Sequence, residues 1–335
     1  MANIIIEPGK IEIHDIKTPT PSYGEILVKI KTALTCGTDL KAFRQGHPMI
    51  PMPGVFGHEF SGIVAGVGKG VKRFKAGDEI MTVHSAPCLK CRYCKKKAFN
   101  LCENIMNTKV LGAFAEYILL PQHIVKQNAY HKPKSLTFEE AAFLEPLSCV
   151  VHGTELIKIK KGDNALIIGA GPIGLLHLLL LKEKGVKVAI SDKNPAKLKT
   201  AKSLSADFIF KRGHPPIKKS TNNIGFDFVF ECTGRSEVWE SSVNYVRRGG
   251  TVILFGGCKS GITVTYDAKR LHYDEITLKG VFHFTPSDVK KAYALLKNRN
   301  LPVKKLISGY YRLIEIEKAF LRLSQGRGIK YAIIP

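Results

Sequence analysis

The chain lacks the long apolar runs and targeting segments that mark membrane and secreted proteins. Its longest apolar run, residues 175–181, is interrupted by His177 and is too short to span a bilayer. The N-terminus has no basic region followed by a long apolar stretch, so it does not have the form of a signal peptide. No internal repeat or low-complexity linker occurs. These absences favour a globular cytoplasmic protein whose cysteines are reduced rather than paired in disulfides.

Acidic residues are also few. The 28 Asp plus Glu residues stand against 51 Lys plus Arg, which leaves a formal net charge of +23. Such a charge suits a nucleic acid, an anionic membrane surface or a phosphorylated substrate. The lysines, however, are distributed along the whole chain, and the densest basic runs, residues 95–97 and 158–161, are short. We therefore interpret them as solvated faces and predict no nucleic-acid or membrane partner.

The apolar pattern predicts two domains of different architecture. The chain has 335 residues and 44% apolar content, enough to bury a sizeable core. From Ile4 to about Val125, short apolar segments alternate with glycines, which indicates a β-rich domain without a long helix. From residue 164 onward, apolar strands, glycine turns and helices alternate, as in a parallel sheet covered on both faces. An α/β protein is expected.

Two boundary features remain open at this level. A helix begins after Lys134, and either Ser135 or Thr137 is its N-cap, because acidic residues and an apolar stripe follow both. From Pro286 onward, two helices and a closing strand at residues 330–334 are predicted. This last segment is compatible with a return to the first domain, but the sequence does not show it.

A glycine-rich turn predicts a dinucleotide site. Gly169, Gly171 and Gly174 form a G-x-G-x-x-G pattern that follows a predicted strand and opens a predicted helix. These glycines permit a tight turn, close approach of the pyrophosphate and helix packing, and the helix N-terminus attracts phosphate. Asp192 ends the next predicted strand, where its carboxylate would bind ribose hydroxyls and repel a 2′-phosphate. NAD is therefore preferred over NADP. Lys193 and Lys197 flank Asp192, and a lysine there could partly tolerate NADP, whereas Lys197 could instead reach the ribose or the adenine edge.

Four cysteines predict a closed metal site. Cys88, Cys91, Cys94 and Cys102 are spaced C-x2-C-x2-C-x7-C within a lobe at residues 86–104. Four thiolates suit tetrahedral zinc and leave no position for water or substrate. This zinc is expected to be structural.

A second, mixed set of metal ligands lies upstream. Cys36, His58 and Glu59 offer a thiolate, an imidazole and a carboxylate, which bind zinc while leaving a position for substrate. Taken singly, the cysteine could be a core residue and the histidine a structural one, and their separation in sequence does not prove that they meet. Combined with a structural metal lobe and a dinucleotide turn, they indicate an oxidoreductase.

Five motifs carry a resemblance to a known family. Cys36-Gly-Thr-Asp, the segment 53–62 around His58-Glu59, the four-cysteine lobe, Glu145-Pro-Leu-Ser and the glycine-rich turn occur in the order found in zinc-dependent medium-chain dehydrogenases. Among these, the chain is most similar to sorbitol (polyol) and threonine dehydrogenases. The resemblance implies a chaperonin-10-like catalytic domain at residues 1–143 and 286–335, a Rossmann domain at residues 144–285, and a homodimer or homotetramer.

The resemblance also implies roles for individual residues. Cys36, His58 and Glu59 would bind a catalytic zinc ion, and Glu145 would bind it directly or hold its water. Together with the structural zinc ion of the four-cysteine lobe, each subunit would hold two zinc ions. Thr38 would take the proton of the alcohol. Besides the three glycines and Asp192, the residues expected to contact NAD are Pro172, Ile173, Lys197, Thr233, Phe255, Gly256, Gly257, Val281 and Phe282.

One position departs from the family pattern. Relatives often place a histidine five residues after the catalytic cysteine to complete a proton relay, whereas this chain has Lys41. An ammonium group cannot accept a proton, so an unperturbed lysine is a poor relay at neutral pH. Our hypothesis is that Lys41 orients the cofactor and that water or nearby His47 completes the relay.

The predicted function is reversible, NAD-dependent oxidation of a polyol or sugar alcohol, a small secondary alcohol. Threonine oxidation is disfavoured by Glu145-Pro-Leu-Ser, and a phosphorylated polyol is favoured only by the positive charge. A zinc-bearing nucleic-acid-binding protein is the remote alternative. Cys149 and His177 are expected to be buried structural residues, whereas His283 is equally compatible with the active site and a subunit contact.

Overall fold

The structure, a computed structural model, describes residues 1–211 and 220–335. Its strands are β1 Ala2–Glu7, β2 Lys10–His14, β3 Ile26–Leu34, β4 Gly54–Val55, β5 Glu59–Val67, β6 Glu79–Thr82, β7 Tyr117–Leu120, β8 Ala129–His131, β9 Asn164–Ile168, β10 Lys187–Asp192, β11 Phe208–Lys211, β12 Phe226–Glu231, β13 Val246–Leu254, β14 Thr277–Gly280, β15 Ile307–Arg312 and β16 Lys330–Ile334. Its α-helices are α1 Gly37–Gln45, α2 Arg92–Lys95, α3 Gln122–Asn128, α4 Phe138–Ala141, α5 Leu144–Glu155, α6 Pro172–Glu183, α7 Pro195–Ser203, α8 Ser236–Ser242, α9 Ala268–Tyr273, α10 Pro286–Lys297 and α11 Ile316–Ser324. The predicted α/β class is confirmed.

These elements form two compact units. The first unit comprises Met1–Cys149 and His283–Pro335, and the second comprises Val150–Phe282. The sequence placed the domain boundaries between residues 143 and 144 and between residues 285 and 286, immediately before α5 and α10. In the structure the first division falls inside α5, and the second falls just before α10. None of the helices in the described residues is long and apolar enough to cross a membrane.

The first unit is built on a sheet in the order β15-β16-β3-β5-β6-β8, with β7 also paired to β3. Strand β3 alternates buried apolar residues with exposed lysines, which is the period-two pattern of a sheet with one face in a core. In that core the ring of Phe114 lies 4.8 Å from Phe56 and 5.8 Å from Phe320. Because β16 pairs with β3, the C-terminal segment belongs to the first unit.

The second unit contains a six-stranded parallel sheet in the order β11-β10-β9-β12-β13-β14. This order reverses direction between β9 and β12, which is the switch point where dinucleotides bind in doubly wound sheets. The apolar runs of β9 and β10 are buried because helices cover the sheet. Pro172 occupies the first turn of α6, where its missing N–H costs nothing.

Two local features refine the sequence prediction. Thr137, not Ser135, is the N-cap of α4, and it forms a capping box with Glu140. The prediction that residues 4–125 hold no long helix agrees with the structure, in which the longest helix of that segment is α1. This nine-residue helix buries only Asp39, Ala42 and Phe43, and so short a stripe gives no readable period.

Candidate active site

The three mixed ligands come together at the junction of β3, α1 and β5. Antiparallel pairing places Leu34, at the end of β3, opposite Glu59, at the start of β5. Cys36 lies two residues beyond Leu34 as the N-cap of α1, so the pairing brings it to His58 and Glu59. One ligand atom from each of these three residues lies within 4.8 Å of the others. Sheet register therefore assembles residues that are distant in sequence.

This group has the chemistry of a zinc site. Asp39, fully buried in the first turn of α1, places Oδ1 3.4 Å from Nδ1 of His58, which leaves Nε2 for a metal. Oε1 of Glu59 is buried without a hydrogen-bond partner among the described residues. Burial raises the pKa of the Cys36 thiol, so a thiolate here needs a cation. The residues fit a divalent metal with nitrogen, sulfur and oxygen ligands.

A buried lysine from the C-terminal strand braces this group. Lys330 is 1% exposed, and its ammonium group donates to Oε2 of Glu59 and, over 2.7 Å, to the carbonyl oxygen of Thr35. The adjacent residue, Tyr331, donates its backbone N–H to Oγ1 of Thr35 over 2.9 Å. Lys330 thus ties the segment before Cys36 to Glu59. Sequence reasoning missed it because only strand pairing brings residues 35 and 330 together.

Glu145 lies near these ligands but outside their set. Its Oε1 is 3.3 Å from Nδ1 of His84 and 3.8 Å from Sγ of Cys149. Burial by itself would raise the pKa of Glu145, but the hydrogen bond and charge of the neighbouring histidines bring that pKa below its usual range. Direct zinc binding by Glu145 stays a prediction. Cys149 is a half-buried neighbour of Glu145 in α5.

Two histidines lie beside the metal group: His84, which the sequence reading missed, and His283, for which it had left the active site as one of two alternatives. His84 is buried just after β6, and its ring centroid lies 5.0 Å from that of His58. The ring of His283 meets His84 edge-on at 5.3 Å, and its Nε2 lies 2.6 Å from Oγ of Ser85. Of the two alternatives for His283, the structure places it beside the active-site residues. Nothing in the local sequence around His84 marked it.

The four-cysteine lobe is assembled as predicted from its spacing. One sulfur from each of Cys88, Cys91, Cys94 and Cys102 lies within 4.8 Å of the others. The sulfurs of Cys88 and Cys94 are 4.0 Å apart, close to the roughly 3.8 Å expected between thiolates of a tetrahedral zinc site and far beyond a disulfide bond. Backbone N–H groups donate to Cys88 and Cys102. Hydrogen bonding lowers the pKa of the Cys88 thiol to about 6, which favours the thiolate that zinc binds.

The glycine-rich turn has the geometry that its sequence predicts. Gly169 has φ +107°, a conformation that disfavours any residue with a side chain. A Cβ on Gly174 would lie 1.8 Å from the carbonyl oxygen of Gly169, so only glycine allows α6 to pack against the turn. Among the described residues, no atom lies within 4 Å of where a Cβ of Gly171, the N-cap of α6, would be. This opening leaves room for a ligand at the helix N-terminus.

The other predicted cofactor residues share one edge of the parallel sheet, since they follow the carboxyl ends of its strands. Asp192 ends β10, and its Oδ2 accepts the N–H of Ala170 over 2.7 Å. Pro172 and Ile173 open α6, and Lys197 lies half-buried in α7. Thr233 follows β12; Phe255, Gly256 and Gly257 follow β13; Val281 and Phe282 follow β14. Their contacts with a nucleotide stay predictions.

Glu231 supports this edge and was missed by the sequence reading. It is fully buried at the end of β12 and accepts hydrogen bonds from Oγ1 and, over 2.7 Å, the N–H of Thr233. A Cβ on Gly256 would come within 2.2 Å of the backbone nitrogen of Gly234, so the loops after β12 and β13 approach closely. The signal that the sequence offered for Glu231 is an acidic residue at the end of a predicted strand, followed by Cys-Thr-Gly.

The residues proposed for the proton relay lie in and after α1. Thr38 is half-buried in its first turn, and Lys41 is exposed one turn later. Burial and the charge of Lys41 lower the pKa of His47. Nδ1 of His47, however, accepts the N–H of Met49 over 3.2 Å. His47 can therefore take up a proton at Nδ1 only by giving up this bond.

Comparison with known families agrees with both halves of the chain. The family described as "Alcohol dehydrogenase GroES-like domain" matches residues 22–129, and the family described as "Zinc-binding dehydrogenase" matches residues 172–298. The expected chaperonin-10-like domain is thereby confirmed, since GroES is a chaperonin of that type.

Full-length relatives and solved structures resemble the whole chain. A sorbitol dehydrogenase of Bacillus subtilis is 30% identical over 97% of this chain and 93% of its own length. A putative zinc-binding dehydrogenase from Sinorhizobium meliloti, solved with NADP, is 28% identical with a TM-score of 0.89, covering 100% of this chain and 98% of that one. The 2R,3R-butanediol dehydrogenase from Bacillus subtilis is 25% identical with a TM-score of 0.88, covering 100% and 99%.

Proposed function

Because the chain belongs to the zinc-binding alcohol dehydrogenase family, we propose that it oxidises a secondary alcohol of the polyol type with NAD, reversibly. The observation that carries this proposal is the group formed by Cys36, His58 and Glu59, with its unpartnered carboxylate oxygen. Two of the relatives that cover nearly the whole chain are named for sorbitol and for butanediol. A nucleic-acid-binding role is not favoured by any of them.

The mechanism assigns separate roles to the residues around the metal group. Zinc, when bound there, supplies Lewis-acid stabilisation of the alkoxide, and NAD supplies the acceptor for the hydride. Asp39, 3.4 Å from Nδ1 of His58, would hold the ring on that side and so leave Nε2 to bind the metal. Lys330 holds one oxygen of Glu59 and leaves the other available. Thr38 would accept the proton of the alcohol.

Beyond Thr38, the proton relay passes to water and not to a side chain. Lys41 would orient the cofactor, while water completes proton transfer, because the Met49 N–H occupies Nδ1 of His47. Measuring pH–rate profiles and the NAD Michaelis constant of Lys41→Ala tests this assignment. If both stayed at wild-type values, Lys41 would neither orient the cofactor nor influence the proton relay.

Three finer features complete the proposal. Each subunit would hold two zinc ions, one in the mixed group and one in the four-cysteine lobe. NAD would be preferred over NADP because Asp192 lies beside the glycine-rich turn and would repel a 2′-phosphate. The subunits would assemble into a homodimer or homotetramer, as the family resemblance implies, and the cytoplasmic location stays a prediction from sequence.

The function can be tested by following NADH absorbance with purified, zinc-loaded protein. The panel should include sorbitol, xylitol, butane-2,3-diol, threonine and a phosphorylated polyol. We expect turnover on polyols, and we expect Cys36→Ser to lose one of two zinc ions and nearly all turnover. Full turnover by Cys36→Ser protein with one zinc ion per chain would refute the proposed metal site. Turnover on threonine alone would refute the substrate class.

A further inference from the structure

His84 holds a position that links the metal group to Glu145. It follows β6 and is only 7% exposed. Its Nδ1 lies 3.3 Å from Oε1 of Glu145, and this close contact is not a well-aligned hydrogen bond. Within residues 1–211 and 220–335 the buried nitrogen has no other partner, so Glu145 is the group that it faces. Its ring centroid lies 5.0 Å from that of His58, a proposed zinc ligand. The imidazole of His84 therefore lies next to a proposed zinc ligand but is not itself one of the ligands.

The surroundings hold the ring of His84 in one orientation. Phe284 meets it edge-on with centroids 6.0 Å apart, and His283 does so at 5.3 Å. His283 is itself stacked on Phe284 at 4.0 Å and lies 2.6 Å from Oγ of Ser85 through Nε2. His283 also has φ +62°, an uncommon conformation for a residue other than glycine, which places its ring in this layer. Such packing disfavours a flip of the His84 ring.

The chemistry of the imidazole follows from this orientation. A carboxylate only accepts hydrogen bonds, so the Nδ1 that faces Glu145 carries the hydrogen. That leaves Nε2, on the other side of the ring, as an acceptor in neutral histidine and as a donor in the cation. A hydroxyl group can pair with Nε2 in either case, because hydroxyls both donate and accept.

We propose that His84 is a specificity residue: it positions Glu145 through Nδ1 and binds a second hydroxyl group of the substrate through Nε2. The inference rests on the proposed oxidation of an alcohol at the neighbouring metal group. His84 would thereby make the enzyme select diols and polyols over alcohols with a single hydroxyl group. A site built to pair with a hydroxyl rejects an analogue that lacks it, since its own polar atom is then left without a partner.

Two substitutions separate the two ring nitrogens. In His84→Asn, the side-chain amide can reach the place of Nδ1 but has no atom at the place of Nε2, whereas in His84→Gln the amide reaches the place of Nε2. The matched control is His14→Asn, because His14 also faces a carboxylate, with Nε2 3.1 Å from Oε2 of Glu12, but is exposed. All three proteins should first be shown to contain the same amount of zinc as the wild type.

The measurement compares butane-2,3-diol with butan-2-ol, which differ by the second hydroxyl group. We expect the ratio of their kcat/KM values to fall roughly tenfold in His84→Asn, which corresponds to the loss of one hydrogen bond. His84→Gln should retain a larger part of the ratio, and His14→Asn should keep all of it. A readout without turnover is the Kd of butane-2,3-diol for zinc-loaded protein with NADH, which should weaken in His84→Asn by a similar factor.

The outcomes distinguish this inference from the proposed function. If wild-type protein oxidised no alcohol, the proposed function itself would be wrong. If wild-type protein oxidised the diol but His84→Asn lost the same factor with both substrates, His84 would only support the site and the inference would be overturned. An unchanged ratio with unchanged diol affinity would overturn it as well.

Discussion

Replacing His177 should change how the stability of the second unit depends on pH. This residue lies in α6 with no exposed surface, between the rings of Phe230 at 4.6 Å and Phe255 at 4.9 Å. Neither of its ring nitrogens has a hydrogen-bond partner among the described residues. Burial lowers its pKa from 6.5 to about 3, because a cation there would lose its hydration without gaining a partner.

The size of the effect follows from proton linkage. The unfolded chain takes up a proton near pH 6.5, whereas the folded chain does not, so stability falls as the pH falls through that range. Between pH 7.5 and pH 5.0 the loss is about 2 kcal/mol, and it hardly depends on the folded pKa as long as that value lies well below 5. The sign is fixed: a depressed histidine pKa lowers stability below the unfolded value and contributes nothing above it.

The substitution that tests this is His177→Leu, which keeps the approximate volume and removes both nitrogens. At pH 7.5 we expect the variant to be as stable as the wild type or more stable, since a buried polar group without a partner costs about 1–3 kcal/mol. At pH 5.0 it should gain a further 2 kcal/mol or so over the wild type. Any loss of zinc in acid affects both proteins alike and cancels in the difference.

Urea unfolding followed by tryptophan fluorescence is the suitable assay. Trp239 is the single tryptophan of the chain and lies in α8, so it reports on the second unit. His272→Leu, at an exposed position in α9 of the same unit, is the matched control and should follow the wild-type pH dependence. Parallel pH curves for wild type and His177→Leu would refute the reasoning, as would a large loss of stability in His177→Leu at pH 7.5.

Three further outcomes are expected. Lys330→Met should destabilise metal-free protein by about 3–5 kcal/mol in chemical denaturation, because it leaves the buried Glu59 carboxylate without a counter-ion. The double mutant Lys330→Met with Glu59→Gln should recover most of this stability. If the losses of the two single mutants simply added in the double mutant, the pairing of Lys330 with Glu59 would be contradicted. Cys91→Ser should lower stability or assembly first, and loss of turnover in protein that stays folded, assembled and loaded with the other zinc ion would be contrary evidence. Asp192→Ser should reduce the NAD-to-NADP ratio of kcat/KM by roughly tenfold or more, and an unchanged ratio would show that another residue selects the cofactor.

The periodic parts of the fold were predictable because their signals are local. The glycine turn, the strand before it and α6 are written within residues 164–183, and glycine is the only residue that fits at 174. The four-cysteine lobe is equally local, since its ligands lie within fifteen residues. In contrast, α1 was missed because three buried positions in nine residues show no period.

What the sequence determined by itself was therefore the chemistry of each motif: closed thiolate coordination, a dinucleotide turn and an open set of mixed ligands. What only the tertiary structure decided was which residues act together. Strand pairing between β3, β5 and β16 brings Lys330 to Glu59, and packing after β6 brings His84 to Glu145. Neither partner carries a local signal, because a buried lysine or histidine takes its role from groups that the chain meets only after it has folded.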